Sequence, residues 1–134
     1  MLIFSKYKKN KIIAGYYKFK NFKKKRVDIC PESEFLQIGI INLENKNLLK
    51  PHKHLKQIRK TSITQEAWIV IKGSIETTIY DLDNKKLKKL KVNTGDIFIL
   101  FRGGHSFRKL KKNTIIYEIK NGPYFGNKKD QKRI

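Results

Sequence analysis

The sequence predicts an all-β domain, a sandwich or barrel built from many short strands. Apolar or alternating runs recur about every eight to twelve residues, the spacing typical of such folds. These runs are rich in Ile, Val, Thr, Tyr and Phe, which suit a half-buried pleated surface. No window of helical length has convincing helical periodicity, so we expect no substantial helix.

The strands are predicted from runs that end at turn-forming residues such as Gly73, Gly95 and Gly103. The predicted strands are 12–19, 35–43, 67–72, 74–80, 97–101 and 114–119, with a further strand starting at His105. With 134 residues the chain has the usual size of one domain. We expect an N-terminal strand segment of the same domain at 1–30, the barrel at 31–125, and a polar, loosely held tail at 126–134.

Two of these strands, 69–71 and 97–101, are apolar on both faces. A sheet with one face in water should instead alternate apolar and polar residues. Something must therefore cover the outer face of these strands. A second sheet, the N-terminal segment or a partner subunit would each do so, and on this basis we predict a homodimer.

The formal net charge of +21 raises the question of an anionic partner such as nucleic acid. Only five of the 32 basic residues are arginine, whereas nucleic-acid sites use arginine heavily for bidentate contacts. The lysines are also spread along the whole chain, which indicates biased composition. We expect no specific binding to nucleic acid.

The compartment is predicted from the start of the chain and from its one cysteine. The first residues lack a basic region followed by an apolar stretch, and no apolar run has membrane-spanning length. Cys30 stands alone, so the chain has no internal disulfide, which fits a reducing compartment. We expect a cytoplasmic protein with no membrane partner.

The three histidines of the chain, with Glu66, form the candidate site. His52 and His54 are two residues apart, so on a strand both imidazoles would lie on one face. Glu66 opens one predicted strand and His105 opens another. Divalent transition metals bind imidazoles and carboxylates that converge from several elements. We therefore predict one metal ion bound by His52, His54, Glu66 and His105.

These residues also resemble the two sequence motifs of the cupin superfamily. The segment from His52 to His54, then Glu66 and Gly73, resembles the first motif, and the segment from Gly95 to His105 resembles the second. The resemblance is specific over residues 50–120. It implies a jelly-roll barrel (double-stranded β-helix) that holds one divalent transition metal (Mn, Fe, Ni, Co or Zn) through the four residues named above.

Two features depart from the motifs. The eleven residues between His54 and Glu66 exceed the usual spacing, so an extended loop must bring Glu66 into register. Phe101 also stands where the second motif usually has proline. A site of three histidines, with Glu66 outside the metal's ligands, therefore stays open.

The resemblance implies a function only in outline, because one fold carries many activities. Small cupins resemble proteins of surface-polysaccharide and nucleotide-sugar metabolism. The chain would then bind or convert a small polar metabolite, most simply a sugar derivative, as a metal-dependent isomerase or epimerase. The alternative is a non-catalytic ligand-binding or sensor domain.

Two further residues are candidates for a catalytic role. Arg59 follows the histidine pair and would suit a carboxylate or phosphate at the barrel mouth. Glu118 lies on the last strand and could shuttle a proton. If Ile115, Tyr117 and Ile119 face the core, however, alternation places Glu118 in solvent.

Overall fold

The computed structural model describes residues 1–23, 25–43 and 50–134. Within these ranges the chain forms ten β-strands, a 3-10 helix at Phe19–Asn21 and one short α-helix, α1 (Asn127–Asp130). The strands are β1 (Leu2–Phe4), β2 (Ile12–Tyr17), β3 (Arg26–Asp28), β4 (Gly39–Ile41), β5 (Glu66–Lys72), β6 (Ser74–Tyr80), β7 (Lys86–Asn93), β8 (Ile97–Leu100), β9 (Gly104–Lys109) and β10 (Ile115–Lys120). The predicted all-β class is confirmed.

The strands form antiparallel sheets. The largest has five strands in the order β1-β2-β8-β5-β10, a second has the order β7-β6-β9, and β3 pairs with β4. Among the described residues none of these sheets closes on itself, so the structure supports the all-β class without establishing a barrel.

The main core lies between the five-stranded and three-stranded sheets. Trp68 and Phe98 come from the larger sheet and stack with ring centroids 5.4 Å apart. Ile75, Ile79 and Val92 come from the smaller sheet, and all five side chains are buried. Successive residues of a strand point to opposite faces, so the same alternation that buries Trp68 also orients Glu66 toward this interior.

Part of the outer face of the five-stranded sheet is covered by the chain itself. Ala67, Ile97 and Ile99 form a second apolar cluster with Cys30, and Leu36 packs against it. Residues 26–41 thus cover β8 and the start of β5. Ile71 of β5 and Ile115, Tyr117 and Ile119 of β10 stay exposed. The homodimer stays a prediction.

The turn before β8 is held by Asp96. Its carboxylate accepts hydrogen bonds from the Tyr16 hydroxyl (2.8 Å), from the Asn93 N–H (3.0 Å) and from the Phe19 N–H (3.1 Å). Burial and the bond to Asp96 raise the pKa of Tyr16. Gly95 supplies the positive φ of 83° that this turn needs. The Gly-Asp pair of the second motif therefore anchors the turn between β7 and β8.

Other elements differ from the prediction. β7 was missed because lysines interrupt its apolar pattern; it is an edge strand, where lysines limit unwanted pairing. The strand expected at 35–43 is limited to Gly39–Ile41 in the described residues, and Glu44–Leu49 lie outside them. Residues 50–61 form no regular strand, so His52 and His54 do not lie on one. Neither helix that the structure describes has the length and apolarity needed to cross a membrane.

Candidate functional site

The candidate site lies at one end of the interface between the two larger sheets. β5 and β10 pair so that Glu118 is directly opposite Trp68, and Lys120 is directly opposite Glu66. Because alternate residues share a face, these four side chains lie on the same side of the sheet. The pairing thus collects two carboxylates, an ammonium group and an indole.

His105 reaches this group from β9 in the opposite sheet. Its Nδ1 atom lies 3.8 Å from Oε2 of Glu66, and its ring centroid lies 4.5 Å from that of Trp68. The preceding turn requires Gly103, whose φ is +82° and whose added Cβ would lie 2.5 Å from the carbonyl oxygen of Tyr80. The Gly-Gly pair therefore brings β9, and with it His105, close to the end of β6.

Burial changes the acidity of both members of the Glu66–His105 pair. Their side chains are only 13% and 26% exposed, respectively. Burial raises the pKa of Glu66, the charge of Glu118 raises it further, and Lys120 opposes the increase. Burial lowers the pKa of His105, against the opposing charge of Glu118. Each shift favours the uncharged form of its group relative to the ordinary pKa.

Glu118 links the buried indole to the surface of the site. The Trp68 indole N–H donates to Oε2 of Glu118 over 3.0 Å. Lys120 Nζ lies 3.5 Å from the other Glu118 oxygen and 4.3 Å from the ring centroid of Tyr124. This arrangement holds Glu118 near Glu66 and His105 while leaving the Glu118 side chain 48% exposed.

A cavity of about 420 Å³ opens onto Glu66 and His105. This volume is toward the small end of the range for small-molecule sites. The cavity is also bounded by the turn after β6, by residues 121–124 and by the C-terminal segment. It can therefore take a small polar molecule whose reacting atoms meet Glu66 and His105.

A partly buried ionic network supports this end of the molecule. Arg102 Nη2 donates to both carboxylate oxygens of Glu34, over 2.8 and 2.7 Å, and Arg102 Nη1 donates to the carbonyl oxygen of Ile12. Gln65 donates to Glu34 over 2.6 Å and accepts from the N–H of Leu36. The network connects the turn before β9 with the residue that precedes Glu66.

The structure arranges the four predicted metal ligands as two pairs. Glu66 and His105 face each other in the cavity, whereas His52 and His54 are exposed, with ring centroids 5.3 Å apart. The Nδ1 atom of His52 lies 2.8 Å from the carbonyl oxygen of Lys50. Among the described residues, no three His, Cys, Asp or Glu side chains are grouped to hold a metal. As placed here, the four do not fit a single ion, and the metal stays a prediction.

The two candidate catalytic residues have different positions. Arg59 is exposed on the irregular segment before β5 and does not line the cavity. Glu118 faces Trp68, while Ile115, Tyr117 and Ile119 are the exposed apolar residues of β10. The face of β10 that carries the apolar residues is thus the outer one.

Sequence reasoning missed Lys120, the role of Trp68 and the contribution of the C-terminal segment. Lys120 is two residues from Glu118, and Trp68 is two residues from Glu66, so alternation could have grouped each with its neighbour. No pattern in residues 126–134 indicated that this segment reaches the cavity. Comparison with protein-family models, curated proteins and solved structures found no match to this chain.

Proposed function

We propose that this chain is a small jelly-roll protein of the cupin kind that binds a small polar metabolite and moves a proton on it. The substrate class is a sugar derivative of surface-polysaccharide or nucleotide-sugar metabolism, and the reaction is an isomerisation or epimerisation. The observation that carries the proposal is the Glu66–His105 pair, 3.8 Å apart and facing a cavity of about 420 Å³.

The acidities of the pair suit proton transfer. The ordinary pKa values, 4.5 for the glutamate and 6.5 for the histidine, shift toward each other in the folded chain. His105 in its neutral form can accept a proton from a carbon next to a carbonyl, and Glu66 can donate one when its carboxyl carries a proton. Isomerisation needs only that a proton be removed and one returned, so the step balances without an oxidant or reductant.

The predicted metal ion is independent of proton transfer by Glu66 and His105. Three imidazoles and one carboxylate suit a divalent transition metal, which would polarise a carbonyl or hydroxyl oxygen when bound. A single four-ligand site would require residues 50–64 to follow a path different from that in the structure. Proton transfer by Glu66 and His105 requires only these two side chains.

The test is exchange of carbon-bound hydrogen with solvent. The full chain is incubated in D₂O with a panel of keto-sugars, ketose phosphates and nucleotide-linked keto-sugars, and proton NMR follows loss of signal next to the carbonyl. Glu66→Gln and His105→Gln should each slow exchange by about 100-fold or more, the usual contribution of an acid or base. His52→Gln is the matched control, because His52 does not line the cavity.

The possible outcomes separate the two function classes. Unchanged exchange in both variants would reject the proton-transfer role. Binding without exchange would favour the ligand-binding or sensor alternative. Binding can be followed by fluorescence, because Trp68 is the only tryptophan of the chain and contacts the His105 ring. The predicted homodimer is tested independently by light scattering.

A further inference from the structure

The C-terminal segment forms one wall of the cavity. Asp130, Gln131, Lys132 and Ile134 all line it, as do Glu66 and His105. α1 leads into this segment, and Asp130 accepts a hydrogen bond from the Phe125 N–H over 2.9 Å. The predicted loose tail is thus placed against the candidate site.

One contact places this wall directly beside His105. A Cβ atom added to Gly104 would lie 2.5 Å from Cδ1 of Ile134, closer than two such carbons approach. Gly104 has no positive φ, so its backbone conformation does not require glycine. The missing side chain instead makes room for Ile134.

The charged groups that line the cavity are mostly already paired. Asp81 accepts hydrogen bonds from the Ser5 hydroxyl and from backbone N–H groups. Arg102 is paired with Glu34, and Lys120 lies close to Glu118. A ligand would have to compete for these groups.

Lys132 differs from these groups. In the part of the chain that the structure describes, its side chain makes no ion pair and no hydrogen bond. An ammonium group at the wall of a small cavity attracts an oxyanion, since a charge-assisted hydrogen bond is stronger than a neutral one. Arg59, which the sequence suggested for this role, lies outside the cavity lining.

We infer that the C-terminal segment recognises the anionic group of the ligand, with Lys132 binding a phosphate or carboxylate while the reacting carbon lies at Glu66 and His105. The packing of Ile134 on Gly104 positions Lys132. This inference rests on the proposed function and adds the substrate class: a small sugar derivative that carries an oxyanion.

The experiment compares three probes: glucose 1-phosphate, glucuronate and uncharged glucose. Dissociation constants are measured by calorimetry and Trp68 fluorescence on the full chain. Lys132→Gln should weaken binding of the charged probes by about tenfold or more, the scale of one lost charge-assisted bond. Binding of glucose should not change. A stronger effect on glucose 1-phosphate would identify phosphate as the group recognised, and one on glucuronate would identify carboxylate.

Lys128→Gln and Lys129→Gln are matched controls, because both residues belong to the same segment and neither lines the cavity. Equal effects of Lys132→Gln and these controls would overturn the inference, and so would a larger effect of Arg59→Gln. The exchange test at Glu66 and His105 would still decide the proposed function separately. If none of the three probes binds the unaltered chain, the inferred substrate class is rejected.

The contact between Ile134 and Gly104 has its own test. Gly104→Ala and Ile134→Ala should each weaken binding of the charged probe relative to glucose. If the two residues act through one contact, the double variant should be no weaker than the weaker single variant. Additive losses, or equal losses for charged and uncharged probes, would reject the positioning role of Ile134.

Discussion

Trp68 and Glu118 face each other across β5 and β10, and the indole N–H of Trp68 donates a hydrogen bond to Glu118 over 3.0 Å. The bond fixes the carboxylate close enough to influence both Glu66 and His105. Glu118 therefore connects the packing of the core with the acidity of the site.

Glu118→Gln should lower the pKa values of both Glu66 and His105. The negative charge of Glu118 raises both values, and glutamine keeps an oxygen acceptor for Trp68 while removing that charge. NMR titration of the Glu66 carboxyl carbon and the His105 ring measures the two shifts. Lys120→Met should move the Glu66 pKa in the opposite direction, and parallel shifts in the two variants would contradict this account.

The stability of the fold should fall as the pH decreases below 6.5, the ordinary pKa of the His105 side chain. Its pKa is lowered in the folded chain, so the unfolded chain binds the proton more readily and protonation favours unfolding. The contribution of neutral His105 to stability is complete above pH 6.5. It is lost as the pH falls through the lowered pKa of His105 in the folded chain. Urea unfolding from pH 8 to pH 5 should show a flatter profile for His105→Gln than for His52→Gln.

Glu66→Gln should raise the urea midpoint at pH 8. The folded chain raises the pKa of Glu66, so stability is lost as the pH rises through that raised value and the buried carboxyl ionises. Glutamine resembles the protonated form and avoids this loss. A midpoint that falls at pH 8 would show that the ionised carboxylate is the favoured form.

Glu34→Ala should destabilise the fold by about 2 kcal/mol, the scale of lost hydrogen bonds to a charged group, because the Arg102 side chain is partly buried. It would leave Arg102 unpaired and remove the acceptor of Gln65. Urea unfolding measures the loss, and Glu34→Gln should cost less. Glu76→Ala is the control: Glu76 pairs with the exposed Arg108, so little change is expected.

The metal content of the protein tests the predicted site directly. After reconstitution with Mn, Fe, Ni, Co or Zn, elemental analysis should find about one equivalent per chain, the content of a single-ion site. Both His54→Ala and His105→Ala should remove most of it if one ion is shared by all four residues. Loss with only one of these variants would indicate that the two pairs act separately, as the structure arranges them.

The central strands could be predicted because their patterns are local. The predicted strands 67–72 and 74–80 match β5 and β6 almost residue for residue, since β-branched residues and the positive φ of Gly73 define them. The closeness of Glu66 and His105 was predicted less directly, from the resemblance of their segments to two motifs that bind one metal. Their shared position depends on how the five-stranded and three-stranded sheets pack against each other, which no single strand specifies.

The position of Glu118 shows why the rest of the site could not be predicted. Alternation determines that Tyr117 and Glu118 point to opposite faces, but not which face is inner. The apolar residues of β10 suggested the wrong face, and its pairing with β5 placed Glu118 beside Trp68 instead. The position of His52 and His54 relative to Glu66 could not be predicted either, because residues 50–61 form no regular structure that would relate them.

The sequence by itself determined the all-β class, most of the central strands and the need to cover a second apolar face. These follow from side-chain periodicity and turn residues, which act over a few neighbouring positions. The tertiary structure decided that residues 26–41 cover part of that face, that Glu66 faces His105, and that Lys132 lines the cavity. Such contacts join residues far apart in the chain, and they depend on sheet order and register rather than on local pattern.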